Sequence, residues 1–313
     1  MRNKKDYRLI YMGTPEMSAH TFEALIKSGW HFVALISQED KEVGRKRILT
    51  PSKVKEVALN NNIPVFTPFK IRKEYEDILA LNPDLIITSA YGQIIPNAIL
   101  EYPKYKCINT HGSLLPKHRG GAPIQRAIMN GDKQTGITIM YMNEKMDDGD
   151  ILMQEAIDID IEDTNTTLFN KLSNLALNML LEFLPKLFMG DVHPIKQNIE
   201  EATFSYNLTK EEEHILFNDK TMNVYNHIRG MLDNPGCYFL VKGKTYKMMK
   251  VSFELCDNTK PNTIIGLENK YLRIDCLDGF IKVLSIKPEG KNEMDAKSFF
   301  NGQGRSLVGE QVE

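Results

Sequence analysis

Three polar residues in the first half of the chain could carry out acyl-group transfer. Asn109 and His111 lie in the run Asn-Thr-His-Gly-Ser-Leu-Leu-Pro, and Asp147 lies in a later turn that contains glycine. An amide can donate a hydrogen bond to a developing oxyanion, an imidazole can move protons near neutrality, and a carboxylate can orient the imidazole or position a water. The sequence therefore predicts an enzyme with Asn109, His111 and Asp147 as its catalytic residues.

The spacing of these residues permits them to meet, and a structural reading stays open beside it. Asn109 and His111 are two positions apart at the end of a predicted strand, so their side chains leave the same face, while Thr110 points the other way. Asp147 follows His111 by 36 residues, in a loop that can place a carboxylate beside that face. Taken singly, a histidine is more often structural, and an aspartate in such a turn usually only forms the turn. No serine or cysteine nucleophile is obvious, which favours direct transfer over a covalent intermediate.

Alternating strand and helix patterns would position this cluster. Predicted strands span residues 7–12, 32–36, 64–66, 85–88 and 106–109, and predicted helices span residues 18–27, 53–60, 74–81 and 95–100. This alternation indicates an α/β domain with a Rossmann-like, doubly wound and mostly parallel sheet. Ligands bind such sheets beyond the carboxyl ends of the strands, which is where the polar cluster follows its strand. Strands at residues 137–142 and 151–157 and a helix at residues 164–187 complete the domain.

The character of the sequence changes after this long helix. Residues 191–206 have weak periodicity and are predicted to be a linker. A helix at residues 222–232 then precedes five short strands, at residues 238–241, 246–251, 263–267, 272–276 and 281–286. This pattern predicts a small β-barrel of the OB-like kind. We therefore expect a catalytic domain at residues 1–190, the linker, and a C-terminal barrel at residues 207–313.

Bulk composition limits the class of protein. With 313 residues, of which 42% are hydrophobic, the chain can bury a core in each of two domains. The formal net charge of -2 gives no general reason to expect nucleic acid, so local patches would have to bind a polyanionic partner. The first residues lack a signal-peptide pattern, and no run approaches about 18 apolar residues. We therefore expect a soluble, cytoplasmic protein that does not enter the membrane.

An acidic triplet raises the alternative of a metal site. Asp147, Asp148 and Asp150 could suggest Mg²⁺, but three carboxylates in a turn are commonly solvated, and no phosphate-binding loop accompanies them. The four cysteines are scattered without the Cys-x-x-Cys spacing of a zinc site. We therefore predict no metal.

The ordered motifs resemble those of the 10-formyltetrahydrofolate-dependent formyltransferases, and the match extends over both domains, as in the family members that act on methionyl-tRNA. The resemblance implies that Asn109, His111 and Asp147 are catalytic. It also implies a folate site lined by four consecutive residues, Ser113, Leu114, Leu115 and Pro116. The implied co-substrate is 10-formyltetrahydrofolate, and the implied partner is initiator methionyl-tRNA, bound by a monomer whose C-terminal barrel contacts the tRNA.

Further segments carry the same resemblance. Residues 12–16 are similar to the family's opening Gly-Thr-Pro turn, residues 122–126 are typical of the tRNA-acting members, and residues 208–212 follow the linker as they do there. The C-terminal segments, residues 208–212 and 287–291, separate the chain from the single-domain glycinamide ribonucleotide enzyme. The chain departs from the family pattern at Glu39, where proline is usual, and at Asp148, where threonine is common.

Two basic features could bind the tRNA. The loop at residues 41–47 resembles a mobile insertion of the family that contacts the acceptor stem, and Arg45 matches its Gly-Arg element. A charged loop of this kind is otherwise simply solvated. Four lysines on the predicted barrel strands could bind phosphates, namely Lys242, Lys244, Lys247 and Lys250. Lysines on edge strands can equally serve to prevent aggregation.

Three functions are consistent with these observations. The leading hypothesis is transfer of a formyl group from 10-formyltetrahydrofolate to the α-amine of methionyl-tRNA. An alternative in the same class is formylation of an amino-sugar nucleotide, because such enzymes often join a similar N-terminal domain to another barrel. A third hypothesis is a nucleic-acid-binding module with an inactive catalytic half, against which the intact set Asn109, His111 and Asp147 argues.

Overall fold

The described chain divides into two compact units. The computed structural model describes residues 3–43 and 47–313. The first unit comprises the described residues up to Gly120 together with Gly136–Ile157 and Asn170–Phe204, and the second comprises Gly121–Thr135, Asp158–Phe169 and Ser205–Glu313. Within the described ranges, no helix has the length and apolar character needed to span a membrane.

A seven-stranded sheet forms the centre of the first unit. In chain order, the elements up to the long helix are β1 (Leu9–Gly13), α1 (Glu16–Lys27), β2 (Phe32–Ile36), β3 (Lys41–Val43), β4 (Ile48–Thr50), α2 (Lys53–Asn60), β5 (Val65–Phe66), α3 (Glu76–Leu79), β6 (Leu85–Ser89), α4 (Asn97–Leu100), β7 (Cys107–His111), α5 (Pro123–Met129), β8 (Gln134–Tyr141), β9 (Ile151–Asp158) and α6 (Asn165–Met189). The strand order is β5-β2-β1-β6-β7-β8-β9. Neighbours from β5 to β7 are parallel, and β8 is antiparallel to β7. The predicted doubly wound, mostly parallel sheet is therefore confirmed.

The central strands are apolar because both of their faces are covered. Every residue of β1, β2 and β6 is buried. Successive side chains of a strand point to opposite faces. Ile10 and Met12 accordingly pack into one hydrophobic cluster, whereas Tyr11 stacks on Phe22 of α1 with ring centroids 4.8 Å apart. Continuous apolar runs of this kind are typical of parallel strands, which are covered by helices on each side.

The carboxyl ends of three adjacent strands meet at one edge of this sheet. Gly13 at the end of β1 pairs with Ser89 at the end of β6, and Thr88 of β6 pairs with Asn109 of β7. The hydroxyl of Ser18 in α1 donates to the carbonyl of Ser89 over 2.7 Å, which fastens the helix to this edge. Because β7 lies beside β6, Asn109 and the following residues emerge at the edge where ligands of such sheets bind.

The structure differs from the sequence prediction at several element boundaries. Strand β7 includes His111, beyond the predicted end at residue 109, because antiparallel pairing with β8 continues to Thr138. The helix predicted at residues 74–81 is only the four-residue α3. Helix α5 and the β3–β4 hairpin were not predicted. Helix α5 has only seven residues and follows a glycine-rich run, so its apolar repeat is too short to recognise.

The second unit contains an antiparallel sheet. Its elements after the linker are α7 (Thr221–Met231), β10 (Cys237–Val241), β11 (Lys244–Leu255), β12 (Ile264–Glu268), β13 (Tyr271–Cys276), β14 (Gly279–Pro288), β15 (Met294–Asp295) and α8 (Ala296–Gly302). The strands pair in the order β10-β11-β14-β13-β12, and β15 pairs with β14. Ile228 of α7 and Phe299 of α8 are buried in a common core with Phe239 and Ile274 from the strands. The five strands predicted for this half are confirmed, and α8 was not predicted.

Candidate active site

Asn109 is held at the end of β7 by its neighbour on β6. The hydroxyl of Thr88 lies 2.9 Å from Asn109 Oδ1, to which it donates, and 3.1 Å from the carbonyl of Ile108. The carbonyl oxygen of the Asn109 amide therefore faces Thr88, and its NH₂ group remains as the donor for a ligand. This orientation suits a side chain that stabilises negative charge on a substrate oxygen.

The ring of His111 is buried and has a defined orientation. Its Nε2 atom lies 2.9 Å from the carbonyl oxygen of His118. A carbonyl oxygen can only accept a hydrogen bond, so Nε2 carries a proton and donates it. The other ring nitrogen, Nδ1, lies 3.7 Å from Oδ1 of Asp147, and the two side chains are 7% and 16% exposed. The structure therefore brings His111 and Asp147 together, although 36 residues separate them in the sequence.

Asp147 adopts a backbone conformation that a residue other than glycine rarely takes. Its φ is 50°, in the left-handed region. The backbone N–H of Gly120 donates to Asp147 Oδ2 over 2.8 Å, and Gln197 Nε2 donates to the Asp147 carbonyl over 2.9 Å. These contacts fix the carboxylate and leave Oδ1 directed at His111.

The loop after β7 is fastened to β8 through one threonine. Thr138 Oγ1 donates to the carbonyl of Ser113 over 2.6 Å, and it accepts from the N–H of Leu115 and from Gln154 Nε2 at 3.2 and 2.8 Å. Ser113 Oγ also donates to the carbonyl of Lys117 over 2.6 Å. The predicted folate-binding run is thus an ordered loop whose backbone is held by the side chains of Ser113 and Thr138.

Within this loop, Leu114 and Pro116 are half-buried, whereas Ser113 and Leu115 are buried. Leu114 packs against β8 at Gly136, where an added Cβ would lie 2.5 Å from Leu114 Cδ2 and 2.1 Å from the Glu155 carbonyl. Glycine is therefore required for this close approach. Folate binding by these four residues remains a prediction.

Cys107 lies on β7, two residues before Asn109, but has the wrong chemistry for a nucleophile. Its thiol is fully buried and contacts the carbonyl of Ile99. Burial raises the pKa of this thiol well above its usual value, and Glu101 raises it further. Since the thiolate is the nucleophilic form, Cys107 is inert at neutral pH. This agrees with direct transfer of the acyl group.

The acidic triplet does not gather around a common centre. Asp147 accepts from Gly120, and Asp148 forms an ion pair with Arg119 in which Nη1 and Oδ1 are 2.6 Å apart. Among residues 3–43 and 47–313, no three His, Cys, Asp or Glu side chains lie close enough together to hold a metal ion.

Two segments that carried the resemblance contact each other in the second unit. Arg126 of α5 forms a two-pronged ion pair with Glu212, and this contact lowers the pKa of the Glu212 carboxyl. His227 Nε2 donates to the Glu212 carbonyl over 2.8 Å, and burial lowers the pKa of this imidazole. These residues fasten α5 to the segment before α7, which gives them a structural role.

The residues predicted to contact tRNA are one arginine and four lysines. Arg45 lies outside the described residues. Lys242 forms an ion pair with Glu310 over 2.8 Å. Lys244, Lys247 and Lys250 are exposed on β11, and Lys247 stands directly opposite Lys287 of β14.

Sequence reasoning missed several residues that hold the site together: Thr88, Thr138, Gln154, Gln197 and Thr203. A polar residue at the end of the otherwise apolar β6 was a usable signal for Thr88. Nothing in the local pattern marks Gln197, which reaches Asp147 across 50 residues of sequence.

Comparison with known proteins extends this picture. The family described as formyl transferase matches residues 7–184, and the family described as formyl transferase, C-terminal domain, matches residues 207–304. A methionyl-tRNA formyltransferase of Bacillus mycoides (strain KBAB4) is 44% identical over 309 residues, which cover 94% of this chain and 95% of the relative.

Solved structures share the fold at lower identity. An N-formyltransferase from Helicobacter canadensis, solved with folinic acid and dTDP-3-aminofucose, has a TM-score of 0.69 at 20% identity and covers 88% of this chain and 98% of its own. Methionyl-tRNA formyltransferase from Clostridium thermocellum has a TM-score of 0.59 at 21% identity and covers 79% of this chain and 94% of its own. The family matches and the 44% identity show a family relationship in addition to a shared fold. The chain belongs to the formyl transferase family, which includes the methionyl-tRNA formyltransferases.

Proposed function

We propose that the protein transfers the formyl group of 10-formyltetrahydrofolate to the α-amino group of initiator methionyl-tRNA. The observation that carries the chemistry is the approach of His111 Nδ1 to Asp147 Oδ1, which lie 3.7 Å apart. His111 shares the end of β7 with Asn109. The choice of methionyl-tRNA as acceptor is supported by relatives of that name at 44% identity over nearly the whole chain.

In the first step, the lone pair of the amine attacks the formyl carbon. A C–N bond forms, and the electrons of the carbonyl double bond move to the oxygen. The Asn109 amide, with its oxygen turned to Thr88, donates to this oxyanion. A donor in that position lowers the barrier by roughly 3 kcal/mol.

In the second step, a lone pair of the oxyanion re-forms the carbonyl double bond, the bond between the formyl carbon and N10 of the folate breaks, and its electron pair goes to N10. The attacking nitrogen must lose a proton, and N10 must gain one. His111 has its Nε2 proton committed to His118, so Nδ1 is the atom that takes up and returns the proton. Asp147 stabilises the imidazolium that forms.

The resting separation of His111 and Asp147 is longer than a hydrogen bond. At 3.7 Å, the two atoms can approach each other further and share a proton. Catalytic hydrogen bonds are often long without substrate and shorten in the complex.

The folate-binding loop is assigned to Ser113, Leu114, Leu115 and Pro116. Its ordered backbone and the apolar side chains of Leu114 and Pro116 suit a flat heterocycle that needs both hydrogen bonds and apolar contact. Distant structural neighbours solved with folinic acid or tetrahydrofolic acid support a folate donor. We expect a monomer that works in the cytoplasm, where charged tRNA is available.

The tRNA contacts are assigned to one arginine and four exposed lysines. Contact of Arg45 with the acceptor stem rests on the family resemblance. The exposed lysines Lys244, Lys247 and Lys250, together with Lys287, supply positive charge for the phosphate backbone.

The direct test is to incubate the protein with 10-formyltetrahydrofolate and charged initiator tRNA, and to measure N-formylmethionine by mass spectrometry after deacylation. We expect product with charged tRNA and none with uncharged tRNA. A parallel reaction offers an amino-sugar nucleotide as acceptor. Formylation of the sugar alone would replace the proposal with the alternative. Binding of tRNA without any formylated product would favour the inactive binding module.

A further inference from the structure

The segment 195–204, which follows α6 and lies in the first unit, contacts the loop that follows His111 and the turn that carries Asp147. We propose that this segment positions His111 and Asp147 for formyl transfer, through Gln197 at one end and Thr203 at the other. The proposal deepens the proposed function and rests on it. Gln197 and Thr203 are positioning residues, because each acts through the hydrogen bonds of another residue.

Gln197 uses its whole side-chain amide to join two elements. Nε2 donates to the carbonyl of Asp147 over 2.9 Å and to the carbonyl of Gly149 over 2.7 Å. Oε1 accepts from Nε and Nη2 of Arg119 at 3.1 and 2.8 Å. Both N–H groups of Gln197 therefore donate to the loop that carries Asp147. Its oxygen accepts from the Arg119 guanidinium, which fixes the orientation of the amide.

Arg119 also binds this loop, through an ion pair with Asp148, the residue after Asp147. Its side chain is 5% exposed, and Nη1 lies 2.6 Å from Asp148 Oδ1. A buried guanidinium needs a charged partner with good geometry. Arg119, Asp148 and Gln197 therefore close a ring of contacts around the backbone of the Asp147 turn.

This turn needs external support because its conformation is unfavourable on its own. Asp147 has a φ of 50°, which costs free energy for a residue with a side chain. Gly149 lies so close to the strand β8 that an added Cβ would be 1.7 Å from the Tyr141 carbonyl. Such a conformation persists only where surrounding contacts over-determine it, and Gln197 provides two of those contacts.

The far end of the segment supports His111 in the same indirect way. Thr203 Oγ1 accepts from the backbone N–H of His118 over 2.8 Å, and the Thr203 carbonyl accepts from the N–H of Arg119 over 2.8 Å. The His118 carbonyl then accepts the Nε2 proton of His111 over 2.9 Å. Thr203 therefore fixes the peptide that sets the tautomer of the catalytic imidazole.

Together these contacts mean that the catalytic site is not complete at residue 190. The part of the predicted linker from 195 to 204 belongs to the support of the site, and it contacts the Asp147 turn through Gln197 and the His118 peptide through Thr203. Misplacement of a catalytic group by about 1 Å can cost about 100-fold in rate. Changes in this segment should therefore affect the rate of transfer more than the binding of substrates.

The sharpest variant is Gln197→Glu in the full chain. A glutamate keeps an oxygen for Arg119 and strengthens that contact, but it removes both N–H donors and turns an oxygen toward the carbonyls of Asp147 and Gly149. We expect kcat for formylation to fall by about 10- to 100-fold, with KM for each substrate within about twofold and the melting temperature within a few degrees. A role limited to tethering Arg119 would leave kcat unchanged.

Matched variants separate positioning from general damage. Lys145 reaches the other oxygen of Asp148 at 3.9 Å and is 78% exposed, so Lys145→Ala should behave as the native protein. Thr203→Val removes the acceptor for His118 at nearly constant volume and should lower kcat about fivefold. Thr203→Ser retains the hydroxyl and should restore kcat to within about twofold.

A readout that does not depend on turnover keeps this proposal distinct from the proposed function. In protein labelled with ¹⁵N-histidine, the His111 ring signals are assigned by their loss in His111→Gln. We expect these signals to shift in Gln197→Glu and Thr203→Val, but not in Lys145→Ala. If the native protein forms no formylmethionine and the shifts still occur, the function fails and the positioning stands. Folded Gln197→Glu with native kcat and unshifted His111 signals would overturn the inference.

Discussion

Polar residues are buried and hydrogen-bonded at the edge of the parallel sheet, but they are exposed on the outer face of the antiparallel sheet. At the edge, His111 and Arg119 are buried, and each makes hydrogen bonds of 3.1 Å or less to a defined partner. On the antiparallel sheet, Lys247 and Lys287 are exposed and stand directly opposite each other on β11 and β14. The first region fixes the positions of atoms, whereas the second accumulates charge.

Under the proposed function, the two regions take different parts in one reaction. Fixed donors and proton carriers affect the transition state, and they should therefore govern kcat. Like charges placed opposite each other cost stability in a sheet, so a polyanionic ligand that neutralises them binds favourably. The exposed lysines of the antiparallel sheet should therefore govern the affinity for tRNA and its dependence on salt.

The largest effect is expected at the oxyanion donor. Asn109→Ala removes the NH₂ group proposed to donate to the substrate oxygen and should lower kcat by about 100- to 1000-fold. The adjacent Thr110 points to the other face of β7, so Thr110→Ser is the matched control and should retain native kcat. Steady-state kinetics with both substrates, together with circular dichroism for the fold, would check this. Near-native turnover in folded Asn109→Ala would remove this residue from the mechanism.

A smaller effect is expected at the residue that orients this amide. Thr88→Val keeps the shape of the side chain but removes the hydroxyl that lies 2.9 Å from Asn109 Oδ1. The amide can then rotate, and kcat should fall about fivefold. Thr88→Ser retains the hydroxyl and should recover most of that loss. Equal rates for the valine and serine variants would show that Asn109 needs no such support.

The smallest effect on turnover is expected on the antiparallel sheet. Lys247→Ala and Lys287→Ala should each raise KM for tRNA a few-fold at unchanged kcat. Each should also reduce the slope of log affinity against log salt by about 1 if the lysine contacts a phosphate. Lys242→Ala is the control, because this lysine is already paired with Glu310. Salt titrations of tRNA binding with unaltered slopes in both variants would contradict the assignment.

The parts of this account that could be predicted from sequence are those that depend on local pattern. Alternation of strands and helices predicts the sheet, and period-two geometry predicts that Asn109 and His111 share a face. The Asp147 turn was recognisable by its residue types, but its contact with His111 depends on β8 lying beside β7.

The supporting residues could not be predicted because their partners are distant in the sequence. Arg119 and Gln197 are 78 residues apart, and His118 and Thr203 are 85 residues apart. Threonine and glutamine are also ordinary surface residues, so neither type marks a site. Asp148 stood out as a member of the acidic triplet and as a departure from the family pattern, and its partner Arg119 becomes evident only when the two loops are folded together.

The central claim is that the His111–Asp147 pair carries the proton during formyl transfer. Asp147→Asn tests it most directly, because an asparagine preserves the volume and an oxygen for the Gly120 N–H but removes the charge that faces His111. The measurement is the single-turnover rate with both substrates saturating. We expect a fall of about 100-fold or more with substrate affinities within about twofold. A rate within about threefold of the native protein would contradict it.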